Sequence, residues 1–343
     1  MEKQLLLKKL EGKEAAVFFE KMYGKEGAKA NKERYLHVME GLEKAFGHKE
    51  MSLFSSAGRT EISGNHTDHN HGKVLAGSIN LDCVAAAAAN GTDEIHIISE
   101  TYNQKFTIQL SDLKPSERMA GTIDLTKGML AGFQEMGYEI GGFDAYITSN
   151  VISAAGVSSS ASYEMLICSM LNTMFNEGKM DVVTYAHIGK YAENKFWNKA
   201  SGLLDQMACA VGGLITIDFK NPEAPVVEKI DFDFGAQDHS LMIVNTGKGH
   251  ADLSADYSSV PNEMKKVAQC FGKEVCAEIS EEEVIANLAK VRAFAGDRSV
   301  MRAFHFFEEN KRVEQEVKAL RENDFAAFLE GITASGNSSW KWL

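Results

Sequence analysis

Residues 58–75 read GRTEISGNHTDHNHGKVL. One arginine, Arg59, is followed by Asn65, His66, Asp68, His69 and His71, with glycines at 58, 64 and 72. Carboxylate, imidazole and amide groups crowded onto one loop supply the mixed donors and acceptors that a hydroxyl-rich ligand demands. Two other readings fit the same residues. His66, His69 and His71 could form a metal site, and a solvated polar loop needs no ligand at all.

Outward from this stretch the pattern alternates between strands and helices. GTDEIHIISE and TYNQKFTIQL, at 91–110, alternate apolar and polar residues like two paired strands with a short polar connection. FDAYITSNV at 143–151 reads as a further strand and runs into AAGVSSSASYEMLICSMLNTMF, small-residue-rich at its front and then an apolar helix. DVVTYAHIGKYAENKFW (181–197) reads as helix, and SGLLDQMACAVGGLITIDF as a helix start followed by a strand. On the N-terminal side, Leu5, Leu6 and Leu10, then Val17 and Phe18, then Leu36, Met39 and Leu42 recur at three-to-four spacing, so residues 1–50 read as helices. NPEAP at 221–225 marks a loop near a domain boundary, SLMIVNTG (240–247) reads as a strand, and helices are expected from about residue 261 to 340.

The totals exclude several classes. A chain of 343 residues carrying a net charge of −12 lacks the cationic surface that nucleic-acid binding requires. CVAAAAAN at 83–90 falls far short of the roughly 20 apolar residues that span a bilayer, so no membrane partner is expected. MEKQLLLKKLEGKE shows no secretory signal, and Cys83, Cys168, Cys209, Cys270 and Cys276 are scattered and odd in number. Reduced thiols in a cytoplasmic protein are the expectation.

Two further stretches carry chemistry. There is no G-x-x-x-x-G-K-[ST] loop, but GVSSSAS at 156–162 places a glycine and serines at the mouth of a helix, where first-turn N–H groups and the macrodipole favour an anion. An ordinary serine N-cap on a buried helix reads equally well. In SGLLDQMACAVGG (201–213), Asp205 stands alone among apolar residues. It either satisfies local backbone groups or is a desolvated acid with a task.

Together and in this order, these stretches resemble the GHMP small-molecule kinases, most closely the galactokinases. GRTEISGNHTDHNHGKVL is similar to their sugar signature, GVSSSAS to their phosphate loop, and SGLLDQ to their C-G-I-M-D-Q motif. Glu193 stands twelve residues before Asp205, and Tyr257 seven after His250, as in those kinases. The resemblance implies an α+β, two-lobed kinase fold: a helical extension over 1–50, a mixed α/β N-terminal lobe over 51–220, and an incomplete ferredoxin-like C-terminal lobe over 235–343. It implies ATP and Mg²⁺ as cofactors, and transfer of phosphate to the anomeric hydroxyl of galactose by a monomer.

Role by role, the resemblance implies Asp205 and Arg59 as catalytic residues, close enough to pair, the acid orienting the hydroxyl and the guanidinium stabilising the transferred charge. Asn65, His66, Asp68, Gly202 and Tyr257 would meet the sugar. Gly156, Val157, Ser158, Ser159, Ser160, Ala161 and Ser162 would wrap the phosphates, and Ser160 with Glu193 would hold the metal. Departures from the family pattern are Asn65 for a sugar-gripping glutamate, His69 for a tyrosine, Ala57 for a proline, and Ser153, Ala154 and Ala155 where glycines are frequent. Asn65 keeps a kinase for N-acetylgalactosamine or another galactose-like sugar open as an alternative. The ending at GITASGNSSWKWL, without the family's third glycine-rich motif, is expected to mark a fragment, with a natural short form as the alternative, and keeps a non-catalytic sugar and ATP sensor open as well.

Overall fold

The computed structural model describes residues 1–153, 155–199, 201–244 and 254–343. They form two compact units. The first comprises Met1–Gly58, Ile79–Ser201 and Asp205–Ala210, and the second Arg59–Ser78, Gly202–Leu204 and Val211–Leu343.

The first unit opens with helices α1 (Lys3–Glu11) and α2 (Lys13–Phe46), the latter broken at Gly24. Strands β1 (Ser52–Ser63) and β2 (Lys73–Ala89) are long enough to lend residues to both units. Then come β3 (Glu94–Ser99), β4 (Gln104–Gln109), α3 (Gly121–Glu135), β5 (Phe143–Ser149), α4 (Ser159–Phe175), α5 (Val182–Phe196) and α6 (Leu204–Val211). β3 pairs antiparallel with β4 and parallel with β5, and β5 pairs antiparallel with the far half of β2, Cys83 opposite Ser149 and Ala89 opposite Phe143.

The alanine run expected only to be too short for a membrane is this far half of β2. Alternate side chains leave a strand on opposite faces. Cys83, Ala85 and Ala87 pack among α3, α4 and α5, while Val84, Ala86 and Ala88 pack beneath α2. A strand covered by helices on both faces has no polar side, hence the unbroken apolar run. Polar pins hold α2 down: buried Asp82 accepts from Tyr23 Oη at 2.5 Å, Ser55 Oγ at 2.5 Å and Arg34 Nη1 at 2.8 Å. Residues 1–46 thus complete the first unit's core.

In the second unit the near half of β2 pairs antiparallel with β6 (Leu214–Asp218), Lys73 opposite Asp218, and β6 pairs antiparallel with β7 (Val226–Lys229). Helices α7 (Ser254–Gln269), α8 (Glu281–Ala286), α9 (Leu288–Ala295), α10 (Asp297–Arg321) and α11 (Phe325–Trp342) follow. Leu75 of β2, Leu214 of β6 and Ile230, just past β7, pack on Val313, Val317 and Leu320 of α10 and Phe328 of α11.

One expectation changes. Residues 240–244 form no strand, and Leu241, Met242 and Val244 are exposed; 245–247 lie outside the described residues. Residues 59–78, which include most of the sugar signature, are grouped with the second unit, where α10 and α11 hold the turn between β1 and β2.

Candidate active site

The signature loop lies in the second unit, where β1 ends at Ser63 and the chain doubles back into β2. Gly64 makes the turn with φ +89°, and a Cβ there would lie 2.2 Å from the Lys73 carbonyl oxygen. Thr67 Oγ1 closes the loop on the Gly64 carbonyl at 2.7 Å and that of Lys73 at 2.9 Å, and Asp68–Asn70 forms one tight helical turn.

From outside, two helices grip this loop. On α10, Glu309 Oε2 accepts from Gly64 N at 2.9 Å and Asn310 Oδ1 from Lys73 N at 2.7 Å. His305 Nε2 donates to the Asn65 carbonyl at 3.0 Å, which leaves Nδ1 to accept from Ser338 Oγ at 2.9 Å. Burial pushes this imidazole down to about 4, so it is neutral near pH 7, as that arrangement requires. Ser339 Oγ of α11 donates to Asn65 Oδ1 at 3.1 Å. The side-chain oxygen expected to meet a sugar is therefore engaged by a helix.

The loop's other side chains gather round Tyr257, near the start of α7. Its ring lies 5.1 Å from that of His66 and 6.5 Å from that of His69, both edge-on. Burial lowers the His66 pKa although Asp68 pulls the other way, leaving a neutral ring that can both donate and accept. Asp68 is mostly buried, and a Cβ on Gly202 would lie 2.0 Å from its Oδ2, so only glycine at 202 lets the carboxylate stand where it does. Arg59, on β1, is buried in this unit, while His250 lies outside the described residues.

The first unit holds the helix mouth. Ser158, at the N-cap of α4, adopts a left-handed backbone (φ 56°) and makes no capping bond, so the ordinary N-cap reading is not what the serine does. Its buried Oγ has no hydrogen-bond partner. An orphaned hydroxyl beside an uncapped helix N-terminus is a fitting cradle for a phosphate. Ser162 Oγ instead donates to the Ser56 carbonyl at 2.6 Å, and Val157, Ala161 and Ser162 are buried.

Behind the mouth sits a polar cluster centred on fully buried Glu193. Its Oε1 accepts from Ser160 Oγ at 2.9 Å and Lys199 Nζ at 2.7 Å; its Oε2 accepts from Ser201 Oγ and from Gln206 Nε2 at 3.2 Å. The same Gln206 nitrogen reaches Glu164 Oε2 at 3.1 Å, and burial with the nearby Glu193 charge holds the Glu164 carboxyl well above its usual range. Burial works against the Lys199 ammonium, but Glu193 and Asp205 outweigh it and its pKa is raised. Asp205, on the first turn of α6, is partly exposed rather than enclosed; the enclosed acids are Glu164 and Glu193.

Ser160 and Glu193 offer hard oxygens on one side, a donor set that suits Mg²⁺ completed by phosphate oxygens and water. Among the described residues no group of three His, Cys, Asp or Glu could hold a metal, so the His66, His69, His71 alternative has no support.

Reading the sequence missed His305, Glu309, Asn310 and Ser339 behind the loop, and Glu164 and Lys199 beside Glu193. His305, Glu309 and Glu316 share one face of α10 at helical spacing, which reads as a solvated stripe; all three are buried.

The galactokinase galactose-binding signature matches residues 40–89, and the GHMP kinases N terminal domain matches 124–213. A galactokinase from Clostridium tetani is 30% identical over 83% of this chain and 72% of that protein. One from Clostridium perfringens is 32% identical over 82% of this chain and 73% of its own length. The crystal structure of Lactococcus lactis galactokinase complexed with galactose superposes with a TM-score of 0.79 at 27% identity, covering 90% of this chain and 79% of that one. A mevalonate kinase structure, at 15% identity and a TM-score of 0.53, shares the fold.

Proposed function

The chain belongs to the galactokinase family, and on that footing we propose that it transfers the terminal phosphoryl group of ATP to the anomeric hydroxyl of galactose, giving galactose 1-phosphate and ADP. The observation that carries the kinase reading is the mouth of α4, where a left-handed Ser158 leaves its buried hydroxyl unpartnered at an uncapped helix N-terminus.

Phosphoryl transfer passes through a loose transition state, so positioning and neutralisation of charge supply most of the rate. Residues 156–162 are assigned the phosphates, through main-chain N–H groups and the Ser158 hydroxyl. Ser160 and Glu193 are assigned the Mg²⁺, which would supply charge neutralisation on the nucleotide. His66 and Asp68 are assigned sugar hydroxyls: a neutral imidazole and a carboxylate wedged by Gly202 give one mixed and one pure acceptor. Tyr257 offers its ring and hydroxyl to the same ligand. Asp205 orients the anomeric hydroxyl and takes its proton late, and Arg59 stabilises charge on the transferred group.

Asn65 bears on which sugar is used. With Oδ1 held by Ser339, its remaining polar group is an amide that donates, which suits an acceptor on the ligand such as an N-acetyl oxygen as well as a hydroxyl. Coupled ADP release against galactose, N-acetylgalactosamine, glucose and galacturonate tests the proposal. Galactose is expected to give the highest kcat/KM, and turnover confined to another sugar would replace the substrate while keeping the reaction.

A further inference from the structure

Glu193 and Ser160 are, on the reading above, the chain's metal ligands, and this inference rests on that reading. The oxygen of Glu193 that Ser160 touches is already in contact with a cation. Lys199 Nζ lies 2.7 Å from Glu193 Oε1, the atom to which Ser160 Oγ donates at 2.9 Å. The two partners differ in freedom. The Glu193 side chain is wholly buried, on α5, with its second oxygen fixed by Ser201 and Gln206. The Lys199 side chain is 45% exposed and lies in the irregular stretch after α5. Its ammonium stands 5.7 Å from the centre of the Trp197 ring, a second resting place for a cation. The carboxylate is pinned in the core, whereas the ammonium sits at the end of a long, partly exposed side chain outside any helix, the partner with room to move.

A buried carboxylate that stays ionised is costly without a positive partner. A divalent cation reaching the same oxygen would meet Lys199 as a like charge. We propose that Lys199 is a displaceable counter-cation: it neutralises Glu193 while the metal–nucleotide is absent, and moves off when the metal takes that oxygen. Lys199 is thus a positioning residue that sets how much divalent cation the site requires, and it is not itself a ligand of the metal.

Binding of Mn²⁺, followed by electron paramagnetic resonance in the presence of a non-hydrolysable ATP analogue, tests this without turnover. Lys199→Met is expected to bind Mn²⁺ at least about five-fold more tightly than the parent, because the competing charge is gone. Lys199→Arg, which keeps the charge and grips a carboxylate with two N–H groups, is expected to bind it more weakly and stands in if the Met variant fails to fold. Without metal, Lys199→Met should melt at a lower temperature than the parent and recover when Mn²⁺ and the analogue are added. Unchanged or weaker Mn²⁺ affinity in Lys199→Met, or parental affinity in Lys199→Arg, overturns the proposal. Glu193→Gln separates the two readings: if it leaves Mn²⁺ affinity at the parental value, the metal assignment itself is wrong.

Discussion

At the residue scale, two positions carry the sharpest consequences. Asp205→Asn keeps the shape of the side chain and removes its basicity, so kcat should fall by about 10²- to 10⁴-fold. Binding of a fluorescent ATP analogue should stay unchanged; near-normal turnover would reject the assignment of the base. Gly202→Ala tests the sugar side. A Cβ there lies 2.0 Å from Asp68 Oδ2, so the carboxylate must move, and a shift on the ångström scale costs about 100-fold in kcat/KM for the sugar. The KM for ATP should hold, and equal losses for both substrates would mean a general disturbance. Residues such as these were legible because the motifs name them. Ser339 was not, since it meets Asn65 across 274 positions of chain and no local pattern announces so distant a partner.

At the element scale, α10 is the unexpected feature. It puts His305 and Glu316 in dry surroundings, where burial pushes the imidazole down to about 4 and the carboxyl up to about 7. Between pH 4 and 6.5 the unfolded chain protonates His305 and the folded chain does not, so stability falls as pH drops through that window. Between pH 4.5 and 7 the folded chain keeps the Glu316 proton that the unfolded chain loses, so stability falls as pH rises. Each effect is about 3 kcal/mol, and the two oppose each other where the windows overlap. In urea unfolding, the stability of the parent relative to His305→Gln should therefore rise by about 3 kcal/mol from pH 4 to 6.5; a constant difference would refute a neutral buried His305. A second expectation concerns α2. Asp82→Ala removes the acceptor shared by Tyr23, Arg34 and Ser55 and leaves Arg34 without its ion pair, which should cost about 3–5 kcal/mol. A loss under about 1 kcal/mol would show that apolar packing alone holds the helix.

Periodicity made most elements readable, and where it failed the reason lies outside the local pattern. The hairpin of β3 and β4, the strand into α4 and the N-terminal helices follow from local alternation or three-to-four spacing. That signal assumes polar residues face water. On α10 they face a loop that needs its backbone groups satisfied, so the stripe pointed inward. At 240–244 an apolar run had the composition of a strand, yet these described residues form none and their large apolar side chains are exposed.

At the scale of the whole molecule, the family was legible because its motifs are long, ordered and correctly spaced. The grouping into units was not, because β1 and β2 each pass through both, and which helices would hold the turn between them depends on α10 and α11, more than 200 residues further on. Transfer of phosphate from ATP to galactose is tested by galactose-dependent ADP release from the purified chain with Mg²⁺, run beside Asp205→Asn. A galactose kinase gives steady turnover that requires galactose and is lost in the variant while the ATP analogue still binds. Thermal stabilisation by galactose and ATP with no ADP formed by either protein would instead leave a sensor and refute the kinase.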